Sequence, residues 1–149
     1  MKSSNKTFVV LIASALMLVA CNSASQSPND IKTRQNIMQD WRAANDIMKS
    51  MVEKPDTFDA ATFKEQADFI KESTNKAWES FADSANKGKS QDAVWSDGAG
   101  FKAQADEFNA IADELSAIAK EAQSADDVSR VLGRLNESCG SCHKTYKQK

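Results

Sequence analysis

From residue 30 onward apolar side chains recur every three or four positions in four separate runs, with no stretch of strict alternation. The first run, Asp30 to Val52, carries Ile31, Ile37, Met38, Trp41, Ala44, Met48, Met51 and Val52. Pro55 ends it, and Thr57 or Asp59 caps the next. The second carries Phe63, Ala67, Ile70, Ala77, Trp78 and Phe81, and closes on the loop Asn86-Lys87-Gly88-Lys89-Ser90. Ser96 or Asp97 opens the third, with Phe101, Ala105, Phe108, Ile111, Leu115, Ile118 and Ala122 on one face. Ser124, followed by Asp126 and Asp127, reads as the cap of the fourth, which holds Val128, Val131, Leu132, Leu135, Cys139, Cys142 and Tyr146. Lys144, Lys147 and Lys149 near its end suit the negative pole of a helix. Four amphipathic helices of about 20 residues with short links predict an all-α, antiparallel four-helix bundle.

The chain before this pattern reads differently. Lys2 and Lys6 form a short basic region, and Phe8 to Ala20 is apolar apart from Ser14. Thirteen residues are too few to span a bilayer comfortably and fit the apolar core of a signal peptide. The run ends Leu18-Val19-Ala20-Cys21, which looks like a bacterial lipobox. Residues 1–20 are thus expected to be a signal peptide. Cys21 is expected to be lipidated and residues 21–29 to be a tether, leaving 30–149 as one helical domain. Ordinary cleavage near Ala20 or Ala24 is the alternative, and would leave a soluble periplasmic protein. Asn22 after the cysteine favours an outer-membrane anchor by its likeness to enterobacterial lipoproteins.

Charge narrows the function. Without the signal peptide, 17 basic side chains face 21 acidic ones, which argues against a nucleic-acid partner. No Gly-rich phosphate loop, H-E-x-x-H pair or G-x-S-x-G elbow is present.

The chemistry sits in Cys139-Gly140-Ser141-Cys142-His143, the C-x-x-C-H spacing of covalent haem attachment. Each thiol can add across one porphyrin vinyl group, and the imidazole can bind the iron. His143 is the only histidine, and Cys21 is the only other cysteine. A thioredoxin-like site would sit beside a βαβ pattern, and a structural zinc site wants four N or S ligands. Neither is offered. On a helix, Cys139 lies three residues from Cys142 and four from His143, so all three share a face. One covalent haem c is the expected cofactor.

With this motif inside the last of four helices, the chain resembles the class II c-type cytochromes, the cytochrome c′ family. Arg34-Gln35-Asn36-Ile37-Met38 is similar to that family's R-Q-x-x-apolar segment. Val94-Trp95-Ser96-Asp97 with Phe101 resembles its I-W-S-D…F segment, and Ser138 to Lys147 its S-C-x-x-C-H-x-x-(Y/F)-(R/K) ending. Where relatives often have Pro and Thr, this chain has Lys89-Ser90-Gln91-Asp92-Ala93, so loop contacts to the haem are not carried over. The resemblance implies thioethers at Cys139 and Cys142 and His143 as proximal ligand. It places Arg34 and Gln35 at the haem edge, with Tyr146 and Lys147 beside the proximal face. A buried propionate would need a charge-assisted partner such as Arg34.

Met38 holds the position that the resemblance aims at the distal face of the iron. A thioether serves equally as an axial ligand and as core filler, and both roles stay open. Met48, ten residues on and about 15 Å away along a helix, cannot share the position. The expected function is one-electron transfer with a redox partner protein, not enzymatic catalysis. The alternative is binding of nitric oxide or carbon monoxide at a five-coordinate iron. A peroxidase would want a distal acid–base group, and the single histidine is already committed. Family members often form homodimers through the first two helices. The polar outer face Gln39, Arg42, Asp46 and Lys49 leaves pairing undecided here.

Overall fold

The computed structural model describes residues 29–149; the segment expected to be a signal peptide, Cys21 and most of the expected tether lie outside the described residues. Four long helices and one short one follow in order. They are α1 (Asn29–Glu53), α2 (Ala60–Glu79), α3 (Ala93–Ser96), α4 (Gly98–Ala119) and α5 (Ala125–Tyr146). The long helices form the expected antiparallel bundle. The four-residue α3 was not expected, because its pattern merges with the start of α4.

Each boundary has a local cause. Pro55 opens a three-residue 3₁₀ turn after α1. Of the two candidate caps for α2, Asp59 is the one used, its carboxylate accepting from the Thr62 amide at 2.7 Å. Asp97 rather than Ser96 caps α4, accepting from the Gly100 amide at 3.2 Å. Ser124 and Asp127 form a capping box at α5, with the Ser124 amide donating to Asp127 at 2.9 Å. Phe81, read from the sequence as part of the second helix, lies just beyond its end.

Neighbouring helices pack α1 on α2, α2 on α4 and α4 on α5; α1 and α5 close the ring more loosely than the other three pairs. The core is divided along its length. At the far end, Met48, Phe63, Leu115 and Val128 are wholly shielded from solvent, and Ile70 and Leu135 follow toward the middle. At the other end the core is aromatic. Trp41 stacks on Phe108 with ring centres 4.8 Å apart, and Trp78 meets both edge-on at 5.6 and 5.8 Å. Both indoles are satisfied, Trp41 by Ser73 Oγ and Trp78 by Asn109 Oδ1, each at 2.7 Å.

A strap, residues 80–97, crosses this aromatic end. Arg34 of α1 donates to the carbonyls of Ser80 at 2.9 Å, Asn86 at 2.9 Å and Lys87 at 3.0 Å, with its guanidinium 4.4 Å over the Phe81 ring. On the other side the Gln91 amide donates to Tyr146 O at 2.8 Å, and the Gln148 amide to Lys89 O at 2.9 Å. Gly88 turns the strap at φ +54; a Cβ there would lie 3.2 Å from Ile31 and 3.3 Å from Arg34.

Candidate haem site

The residues singled out by sequence converge on the strap end. Asn45 of α1 donates to Asn136 Oδ1 of α5 at 2.8 Å, which fixes the register of these antiparallel helices. Seven residues back along α1 is Met38, and seven forward along α5 is His143. Two helical turns bring each side chain back to the face of its asparagine, about 10 Å along the axis. Met38 and His143 therefore stand at about the same level along the α1–α5 seam. Cys139 and Cys142 lie on the same side of α5 as the buried Tyr146, two turns and one turn away respectively.

Both thiols are free and half-buried, and Cys139 packs against the core. Burial raises the pKa of Cys139 and pushes Cys142 up to about 11, with Cys139 adding to the latter, so both are protonated at neutral pH. His143 is exposed at its rim. Partial desolvation and the Lys147 ammonium lower its pKa, keeping the ring neutral and its lone pair available to a metal. Around these donors the apolar lining is incompletely buried: Met38, Trp78, Phe81, Phe101, Cys139 and Cys142 all retain partial exposure. Gln104 of α4 shares the inward side with Phe108, Ile111 and Leu115, and its shielded Oε1 has no partner; Asn45 Oδ1 is likewise shielded and unpaired. Two thiols and one imidazole on one helix face, beside partly exposed aromatic and thioether side chains, make a donor set that fits a covalently held haem. Among the described residues no cluster of His, Cys, Asp or Glu suits a metal ion alone.

Arg34 is buried, which excludes a solvated charge, and its bonds run to strap carbonyls. Burial lowers its pKa while Asp30 opposes the shift. Gln35, expected beside it, is exposed. Tyr146 does more than pack. Its ring meets Phe101 edge-on at 5.2 Å, and its hydroxyl donates to Asp97 Oδ2 at 3.0 Å. Burial, then Asp97, raises its pKa. A Cβ on Gly100 would lie 2.8 Å from that hydroxyl, so glycine is needed where the α4 cap meets the α5 end. Sequence reasoning found Asp97 as a cap but missed its second bond, since a partner 49 residues away leaves no local signal. The unpaired Gln104 was missed as well. It reads as surface because its neighbours Lys102, Ala103, Asp106 and Glu107 are exposed.

Comparison with known proteins agrees with this geometry. Residues 29–147 match the family profile described as Cytochrome C′. The cytochrome c′ of Alcaligenes xylosoxydans xylosoxydans is 28% identical over 123 residues, covering 82% of this chain and 96% of that protein. The crystal structure of cytochrome c′ from Rubrivivax gelatinosus superposes with a TM-score of 0.76 at 28% identity, covering 83% of this chain and 98% of that one. A ferrous variant of cytochrome c′ from Alcaligenes xylosoxidans with bound nitric oxide gives 0.76 at 27% identity over the same shares.

Proposed function

The chain belongs to the cytochrome c′ family, which binds one covalent haem c, and from that premise we propose that it is a monohaem cytochrome serving one-electron transfer on the periplasmic side of a bacterial membrane. When bound, the haem supplies an iron that exchanges one electron or takes an axial ligand. Cys139 and Cys142 would hold it through thioethers, and His143 would offer the iron an imidazole nitrogen. Met38 is the proposed distal ligand. The observation supporting this reading is the α1–α5 register set by Asn45 and Asn136, from which Met38 and His143 are each seven residues away toward the strap end. A centre with a permanent sixth ligand needs little rearrangement between oxidation states, which favours outer-sphere transfer. In this reading Cys21 carries the lipid anchor, and the tether leads into α1 at the strap end.

A second reading, reversible binding of a diatomic gas, is favoured by the nitric oxide complex of the Alcaligenes relative. There Met38 only packs, and its partial exposure leaves it free to swing aside. Absorption spectra of the ferric and ferrous protein separate the two. Ligation by Met38 gives a low-spin ferric spectrum with a weak near-infrared sulfur-to-iron band, and carbon monoxide then binds slowly. A high-spin ferric protein at neutral pH with rapid carbon monoxide binding would end the electron-transfer reading in favour of gas binding.

A further inference from the structure

The strap end is also set apart by charge. Residues 84–91 and 138–149 contain five lysines, Lys87, Lys89, Lys144, Lys147 and Lys149, and no carboxylate side chain; Asp83, Asp92 and Asp97 of the strap and Glu137 of α5 border them. The other residues from 29 onward carry 12 basic and 21 acidic side chains. Backbone bonds tie the two lysine segments together: Gln148 donates to Lys89 O, and Ser90 and Lys147 form an antiparallel bridge. The lysines therefore share one end of the bundle although the bonded pair Gln91 and Lys147 stands 56 positions apart in the chain. Lys87 gives up its charge to Asp92 at 2.6 Å. Lys89, Lys144, Lys147 and Lys149 are exposed and make no ion pair among the described residues. Elsewhere Arg42, Lys64, Lys71 and Arg134 are spent on neighbouring carboxylates, while Lys32, Lys54, Lys76 and Lys120, also exposed and without an ion pair among the described residues, stand singly beside acidic neighbours in the chain.

We propose that this lysine end is the docking surface for a redox partner protein that presents carboxylates. The proposal rests on the electron-transfer reading. Lys144 adjoins His143, and Lys147 is one turn on, about 6 Å along the axis, so a partner held here lies against the haem-bearing helix. A concentrated positive field on a net negative molecule steers an acidic partner to this end and turns others away. An anionic membrane surface is the competing occupant. The patch suits it less, because polybasic membrane segments gather four to eight cations in one run, and here they are spread over two short segments with offsets.

The test uses the processed holoprotein. Its ferrous form is oxidised by anionic hexacyanoferrate(III) and by cationic tris(phenanthroline)cobalt(III) over a range of ionic strength. The expected result is that hexacyanoferrate reacts faster at low salt and slows as salt rises, against the sign of the protein's net charge. The triple variant Lys89→Glu, Lys144→Glu, Lys149→Glu should cut its low-salt rate by about tenfold, within the span of electrostatic steering. A readout independent of electron flow is NMR broadening by redox-inert hexacyanochromate(III), which should fall on amides 87–91 and 144–149. Brisk oxidation with a salt dependence set by the net negative charge, or broadening elsewhere, overturns the docking surface alone. Sluggish reaction with both reagents defeats the electron-transfer reading and the proposal with it. Lysine-dependent binding to phosphatidylglycerol vesicles, with no steering of either reagent, reassigns the patch to a membrane and overturns the proposal.

Discussion

Met48, Phe63, Leu115 and Val128 at the far end of the bundle lose contact with solvent altogether, whereas Met38, Trp78, Phe101 and Cys139 at the strap end stay partly exposed. The far end is a close-packed apolar core that needs no partner. The strap end is held by polar ties instead, Arg34 on the strap carbonyls and Tyr146 on Asp97, while its apolar lining is left incomplete. The same four helices supply both ends, so the difference lies in the side chains. Met48, Phe63, Leu115 and Val128 fill the first completely, whereas the aromatic, thioether and thiol groups that line the second stay partly exposed. A bundle built this way keeps its shape from one end and leaves the other open for the proposed haem.

Variants at the two ends should fail differently. The largest effect is expected from Phe63→Ala, which opens a cavity in the dense half at a cost of about 3–5 kcal/mol, with the thermal midpoint falling in apo and holo chains alike. Cys139→Ala or Cys142→Ala should do the opposite, sparing the far-end core but losing one thioether and most of the holoprotein yield. Acid–acetone extraction followed by haem assay reads this out; haem that leaves the wild-type protein freely would refute covalent attachment. Met38→Ala comes next. It should turn a low-spin ferric spectrum high-spin and open the iron to carbon monoxide, with a stability loss of about 2 kcal/mol, at the low end for a buried Met since Met38 is only half-buried. Asp97→Ala removes both the α4 cap and the Tyr146 bond, for about 1–2 kcal/mol. Tyr146→Phe should reproduce only the second part. A loss of equal size from the two would show that the cap contributes nothing.

The smallest effect is one of pH at the far half. Asp68 accepts from Lys64 and Ser116, and these bonds hold its pKa below the usual 3.8. A carboxylate depressed in the folded state adds stability above its unfolded pKa, and that share is lost as pH falls below 3.8. Denaturant titration of Asp68→Asn should flatten that acid limb. An unchanged limb would show that the bonds are spent against solvent.

The two ends also differed in how far they could be read from sequence. The far end follows from helical periodicity: Met48, Phe63, Ile70, Leu115 and Val128 fall on the apolar stripes, and burial confirms each. Local signals were enough for the caps, Asp97 at the strap end and Asp59 and Ser124 at the far end, and for singling out Cys139, Cys142 and His143 as candidates, because each motif spans only a few residues. They were not enough for Arg34. Its three carbonyl partners lie 46 to 53 residues away, and carbonyls have no sequence signature. The Asp97–Tyr146 bond and the inward Gln104 escaped for the same reason: each depends on which helices become neighbours, not on what stands beside it in the chain.

Hydrogen exchange on the apo and holo forms tests the division of the bundle most directly. The account predicts that amides around Met48, Phe63, Leu115 and Val128 are protected in both forms. Amides around Met38, Trp78, Phe101 and Cys139 should be protected only once the haem is attached. Uniform protection along all four long helices in the apo chain, or equal loss of it at both ends, would contradict a fold that stands on one half and is completed at the other.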